Sequence, residues 1–201
     1  MIDQIAKQTA LTRWVLPEGL HVPVAAVDEN AIASYVGEVV DKIGGRALPW
    51  ALLVRVPAPP PRDDRLPIWD EPGSATFFLP LQVWVDISYT RYRPAYRRAF
   101  PDEYIGGKIL SHAMNRRTAA AKGYNFVRIT PTTRANNSSS AYSEEWAVAH
   151  HSEGDKEKIA RRQGAFIQYA DLADLMLMAD LKLGGGVMEL VNEGQRLVEP
   201  R

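Results

Sequence analysis

The chain has 201 residues, 24 basic and 24 acidic, with 46% hydrophobic and 24% charged residues and no cysteine. That length suits one domain, and that composition excludes wholesale disorder. The absence of thiols excludes a disulfide framework, thiolate zinc sites, iron–sulfur clusters and cysteine catalysis. Asp3 and Gln4 stand where a signal peptide would carry basic residues. The greasiest early run, Phe77 to Val85, is broken by Pro80 and Gln82 and is too short to span a bilayer as a helix. These features predict a cytoplasmic protein with no membrane partner.

Taken in chain order, Asp28 precedes apolar residues at Ile32, Tyr35, Val36, Val39, Val40 and Ile43. Steps of three and four predict an amphipathic helix capped by Asp28 and stopped by Gly44-Gly45. Trp50 to Val56 reads as a short buried strand. The proline-rich stretch 57–67 reads as an extended loop, because proline fixes φ and lacks a donor. Ala75 to Ser88 reads as a long strand or hairpin, with Pro80 arguing for an edge or a bulge.

Pro101, Asp102 and Glu103 predict the start of a helix running to Lys122. On it, Lys108, His112, Asn115 and Lys122 would share a solvent face and Ile109, Leu110, Ala113 and Met114 the buried one. Phe126 to Thr130 reads as a strand ended by Pro131. Residues 131–143 form a flexible polar loop, and Glu145 to His151 a returning strand. The remainder, 154–198, reads as helical: 154–163, 165–183 and 187–198, punctuated by Gly164 and Gly184-Gly185-Gly186. The expected fold is a single α+β domain over residues 1–201, with a small, mainly antiparallel sheet, packed helices and a helical C-terminal third.

Charge is distributed unevenly. Residues 1–86 hold 7 basic and 11 acidic side chains, residues 87–135 hold 10 and 2, and residues 136–201 hold 7 and 11. A centre of net +8 therefore lies between two acidic flanks. It contains Arg91, Arg93, Arg97, Arg98, Lys108, Arg116, Lys122, Arg128 and Arg134, with Tyr89, Tyr92 and Tyr96 interleaved. Guanidinium forks match phosphate geometry, and tyrosine rings can stack on unpaired bases. This pattern predicts a non-enzymatic nucleic-acid-binding protein, DNA or RNA, that assembles as a homo-oligomer. The alternative is a self-assembling structural protein whose basic centre meets the acidic flank of a neighbouring copy. Arg117 falls on the buried side of the expected helix and would pair with an acid.

Other candidates are weaker. His150-His151 are adjacent in a strand, so they point to opposite faces and do not make one metal site. His21 and His112 are isolated. Asp63, Asp64, Asp70 and Glu71 are loop acids. The three glycines at 184–186 follow a helix rather than a strand, which is the wrong context for a phosphate loop. Pro57 to Arg62 resembles a ligand for an aromatic groove, with rigid linkage as the plainer reading. The helix 165–183 is apolar around most of its circumference, as a core or shared helix would be. No motif calls for a cofactor or a metal, and no catalytic constellation stands out.

Overall fold

The computed structural model describes residues 22–44, 50–57, 76–77, 79–135, 137, 166–170, 174–175 and 178–179. Seven strands and three short helices follow in the order β1 (Pro23–Ala26), α1 (Glu29–Tyr35), β2 (Glu38–Ile43), β3 (Ala51–Arg55), β4 (Leu81–Asp86), α2 (Tyr92–Ala99), β5 (Ile109–His112), α3 (Arg116–Ala121), β6 (Phe126–Thr132) and β7 (Ile167–Tyr169). The strands form one antiparallel sheet, ordered β2-β3-β4-β6-β1-β7, curled into a half-barrel. β5 joins it at β6. Ile129 pairs with Val83 on one side and His112 on the other, and Val127 with Val85 and Ala25. β1 and β5 therefore follow one another along the same edge of β6.

This architecture corrects the expected α+β fold with its helical C-terminal third: the described chain is mostly sheet. Asp28 does cap a helix, its Oδ1 accepting from the Ala31 N–H at 2.7 Å. That helix ends at Tyr35 rather than running to Ile43. Gly37 is the reason. Its backbone lies so close to β3 that a Cβ would stand 2.2 Å from the Arg55 carbonyl oxygen. The chain turns there and returns as β2 against β3. Gly37→Ala is expected to destabilise the protein by about 1–3 kcal/mol through this overpacking. Equilibrium urea unfolding would measure it, and a neutral result would mean that β2 does not lie this close to β3.

The expected helix from Pro101 to Lys122 is also absent. Gly106 and Gly107 take left-handed φ of +58° and +78°, a conformation that breaks a helix and that glycine adopts without strain. β5 then adds to the sheet, and only residues 116–121 are helical, capped by Asn115, whose Oδ1 accepts from the Arg117 N–H at 2.8 Å. The strand expected at 50–56 is β3. The one expected to end at Pro131 continues to Thr132. Pairing with β4 stops at Ile129, so one edge of β6 is free of the ladder where the proline falls. β4 is an interior strand between β3 and β6 rather than an edge. Residues 167–169 pair with β1 as β7, against the helix expected from 165. Most of the Pro-rich loop, residues 136 and 138–143 of the polar loop, the 145–151 strand, His21, His150, His151, the loop acids 63–71, the remaining C-terminal helices and the glycines at 184–186 lie outside the described residues.

Both faces of the sheet are covered. One large cluster gathers Val83, Val85, Val127 and Ile129 with Ala95 and Tyr96 of α2 and Ala119 of α3. A second gathers Leu52, Val54, Trp84 and Phe126 with Ala31 and Ile32 of α1. Cross-strand partners in an antiparallel sheet share a face. The pairs Leu52–Trp84 and Trp84–Arg128 therefore put Arg128 on the same side as the second cluster.

Candidate nucleic-acid interface

The basic run of the sequence folds as α2, and its residue order explains its orientation. With about 100° per residue, Tyr92, Ala95, Tyr96 and Ala99 fall within one arc. Arg93, Pro94, Arg97 and Arg98 fall on the opposite arc. Ala95 and Tyr96 are buried in the core, while Arg91, Arg93, Arg97 and Arg98 are all exposed. Arg97 and Arg98 lie in the last turn, where positive charge complements the helix dipole. Arg91 precedes the helix without capping it through its side chain.

Among the described residues the ion pairs are Lys42 with Glu29 at 2.8 Å and Arg55 with Glu38 at 2.9 Å. Neither involves the α2 arginines. The Arg93 guanidinium lies over the Tyr92 ring, 4.7 Å from its centre, and Tyr92 packs on His112 with ring centres 4.6 Å apart. Arg116, exposed at the start of α3, donates from Nη1 to the Ile87 carbonyl at 3.3 Å. Arg93 and Arg116 both act electrostatically on His112, which brings the start of α3 up beside α2. Arg91, Arg93, Arg97, Arg98 and Arg116 are thus exposed guanidinium groups, and so is Arg117, which the expected helix had placed on its buried side.

His112 lies beneath this surface. Burial, reinforced by Arg116 and Arg93, pulls its pKa down from 6.5 to about 4. The unfolded chain therefore binds a proton between these two values that the folded chain does not. Stability should fall as pH drops from 7 towards 4, by about 2 kcal/mol at pH 4.5 from this group alone. Thermal unfolding of wild type and His112→Gln at pH 7 and pH 4.5 reads this difference. Equal acid sensitivity in the two proteins would contradict a neutral His112 with its Nε2 buried.

Not every residue of the basic centre reaches this surface. Tyr89 and Tyr96 are core residues, 8% and 2% exposed, so neither ring is open to stack on a base. Burial, with the Glu103 carboxylate beside it, raises the Tyr96 hydroxyl far above its ordinary range. Tyr92 is half-buried under Arg93. Lys108 and Lys122 are half-buried outside α2, and Arg134 is exposed in the segment after β6. The helical face that would have joined Lys108, His112, Asn115 and Lys122 does not exist: Lys108 precedes β5, His112 ends it, and Asn115 and Lys122 cap the two ends of α3.

Arg128 departs furthest from expectation: it is fully buried. Its Nη1 donates to the Phe77 carbonyl at 3.0 Å and its Nη2 to the Thr76 carbonyl. Burial lowers its pKa to about 9, with Tyr96 acting in the opposite direction, and it stays charged at neutral pH. It cannot touch a phosphate at the surface. Sequence reasoning also missed the residues around it, Gln82, Ser111, Thr130 and Thr132, all buried on β4, β5 and β6. The only signal was polar residues at alternate positions of strands otherwise built from valine, isoleucine and phenylalanine.

Among the described residues, no group of three or more His, Asp or Glu is placed to hold a metal ion, and no helix is long and apolar enough to cross a membrane. Compared with protein-family models, curated proteins and solved structures, the chain matches none.

Proposed function

We propose that the protein binds nucleic acid through its phosphate backbone, with Arg91, Arg93, Arg97 and Arg98 of α2, joined by Arg116, as the contact surface. The observation that supports this reading is the exposure of these guanidinium groups, together with their absence from the ion pairs among the described residues. Had the acidic flanks neutralised the basic centre within the chain, these arginines would be paired. A guanidinium fork donates two parallel hydrogen bonds to a phosphate, and neutralising several phosphates together releases their counterions.

The mode of recognition follows from what is buried. With Tyr89 and Tyr96 in the core, these two rings do not stack on bases, and contact through the arginines is electrostatic with weak sequence preference. Fluorescence anisotropy with labelled single-stranded and duplex oligonucleotides at about 50 mM salt tests this directly. Saturable binding that weakens as salt rises is expected. No binding to any DNA or RNA under these conditions would end this reading. It would leave assembly between copies, basic surface to acidic flank, as the use of the arginines. In that case sedimentation would show an oligomer that dissociates in salt.

A further inference from the structure

Five buried polar residues lie together on one part of the sheet: Gln82 on β4, Arg128, Thr130 and Thr132 on β6, and Ser111 on β5. Register puts Ser111 opposite Thr130 and Trp84 opposite Arg128, and Gln82 comes one residue before the Val83–Ile129 pair. The row Gln82–Thr130–Ser111 thus crosses three neighbouring strands on the face that carries Arg128. Adjacent strands lie only about 4.8 Å apart, so these side chains are neighbours.

Ser111 Oγ in this row already donates to Asn137 Oδ1, which leaves the donors of Gln82, Thr130 and Arg128. Trp84 Nε1–H can only donate, and it donates to Gln82 Oε1 at 3.1 Å. That bond fixes the amide so that Gln82 Nε2 is left as a donor. Thr130 Oγ1 is buried and has no hydrogen-bond partner. Arg128 uses two donors on the Thr76 and Phe77 carbonyls, which carry no net charge to balance its own. Among the described residues no carboxylate pairs with it. A buried cation is costly unless a counter-charge accompanies it. A hydroxyl, an amide N–H and a guanidinium on neighbouring positions of one buried face can all donate to an anion with several acceptor oxygens.

We propose that the Arg128–Thr130–Gln82 row is a binding site for a small oxyanion, a carboxylate or phosphate group, separate from the exposed arginines of α2. Arg128 supplies the charge, and Thr130 and Gln82 supply the neutral donors. The three side chains are buried together only in the folded chain, so an anion they hold raises the unfolding midpoint by mass action.

The test is urea unfolding of the full chain in chloride, with inorganic phosphate or acetate added in increasing amount. It is run on wild type, on Thr130→Val, and on the variant with Arg91, Arg93, Arg97 and Arg98 all changed to Ala. A midpoint that rises and saturates is expected with one of the two anions, and which one identifies the group. The same rise is expected in the four-arginine variant, which separates this site from the nucleic-acid surface. Thr130→Val replaces an unpartnered hydroxyl by a methyl group of the same shape, so it should be at least as stable as wild type in chloride. Its apparent affinity for the anion should fall about tenfold, as expected for loss of one hydrogen bond to a charged group. A linear, unsaturating rise in wild type would be general exclusion of phosphate from protein surface and would overturn the site. So would an anion response that disappears in the four-arginine variant, or one that Thr130→Val leaves unchanged.

Discussion

Trp84→Ala should destabilise the protein by about 3–5 kcal/mol, the range for removing a large aromatic ring from a packed core. Trp84 is fully buried in the middle of an interior strand, in register with Leu52 of β3 and Arg128 of β6. Truncation opens a cavity against Leu52, Val54 and Phe126, and it also removes the donor that Gln82 Oε1 accepts from. For a chain of this length, each kcal/mol lowers the thermal midpoint by about 2–4 °C, so a drop near 10 °C is expected. In urea the midpoint should fall while the slope m stays constant, because the same surface is exposed on unfolding. Trp84→Phe keeps most of the volume and should cost clearly less. A loss below about 1 kcal/mol for the alanine variant would mean that β4 is not flanked on both sides and covered on both faces.

The parts of this fold that were legible in the sequence are those fixed by short-range rules. Asp28 caps its helix because an aspartate before an apolar pattern satisfies an orphan N–H three residues on. β3 is nearly where the run of branched residues put it. β2 was hidden because Val39, Val40 and Ile43 fit a helical period as well as a strand. A register shift between Val39 and Asp41 breaks the alternation that would have shown the strand. Gly37 was the usable signal, but its meaning is set by the approach of Arg55, 18 residues later in the chain. β5 was hidden by the apolar residues Ile109, Leu110, Ala113 and Met114, which mimic a helical face.

The site was legible in part for the same reason. The run from Tyr92 to Ala99 carries its amphipathic period on its surface, so the exposure of Arg93, Arg97 and Arg98 can be read locally. The burial of Arg128 depends on β4 and β5 flanking β6, a long-range pairing that no local pattern encodes. Tyr89 and Tyr96 look like stacking residues when listed beside arginines. Only the packing of α2, and of the turn before it, into the core cluster shows that their rings are buried.

The arginine surface of α2 should carry most of the salt dependence of nucleic-acid binding. Each phosphate contact contributes about 0.9 to the slope of log affinity against log salt for duplex and about 0.7 for single strands. Changing Arg91, Arg93, Arg97 and Arg98 together to Ala should flatten that slope by about 3 to 4 units. All four are exposed and outside the ion pairs among the described residues, so the fold should stay intact, with only a small loss at the C-terminal end of the helix. Tyr96→Ala should behave in the opposite way, lowering stability without altering the slope of the folded fraction. The most direct measurement is therefore the salt slope of wild type against that of the four-arginine variant, each taken with an unfolding curve. The expected result is a slope reduced by about 3 to 4 units in a protein that stays folded with only a small loss of stability. An unchanged slope would place the phosphate contacts elsewhere, and a variant that unfolds would mean that these arginines hold the fold rather than a nucleic acid.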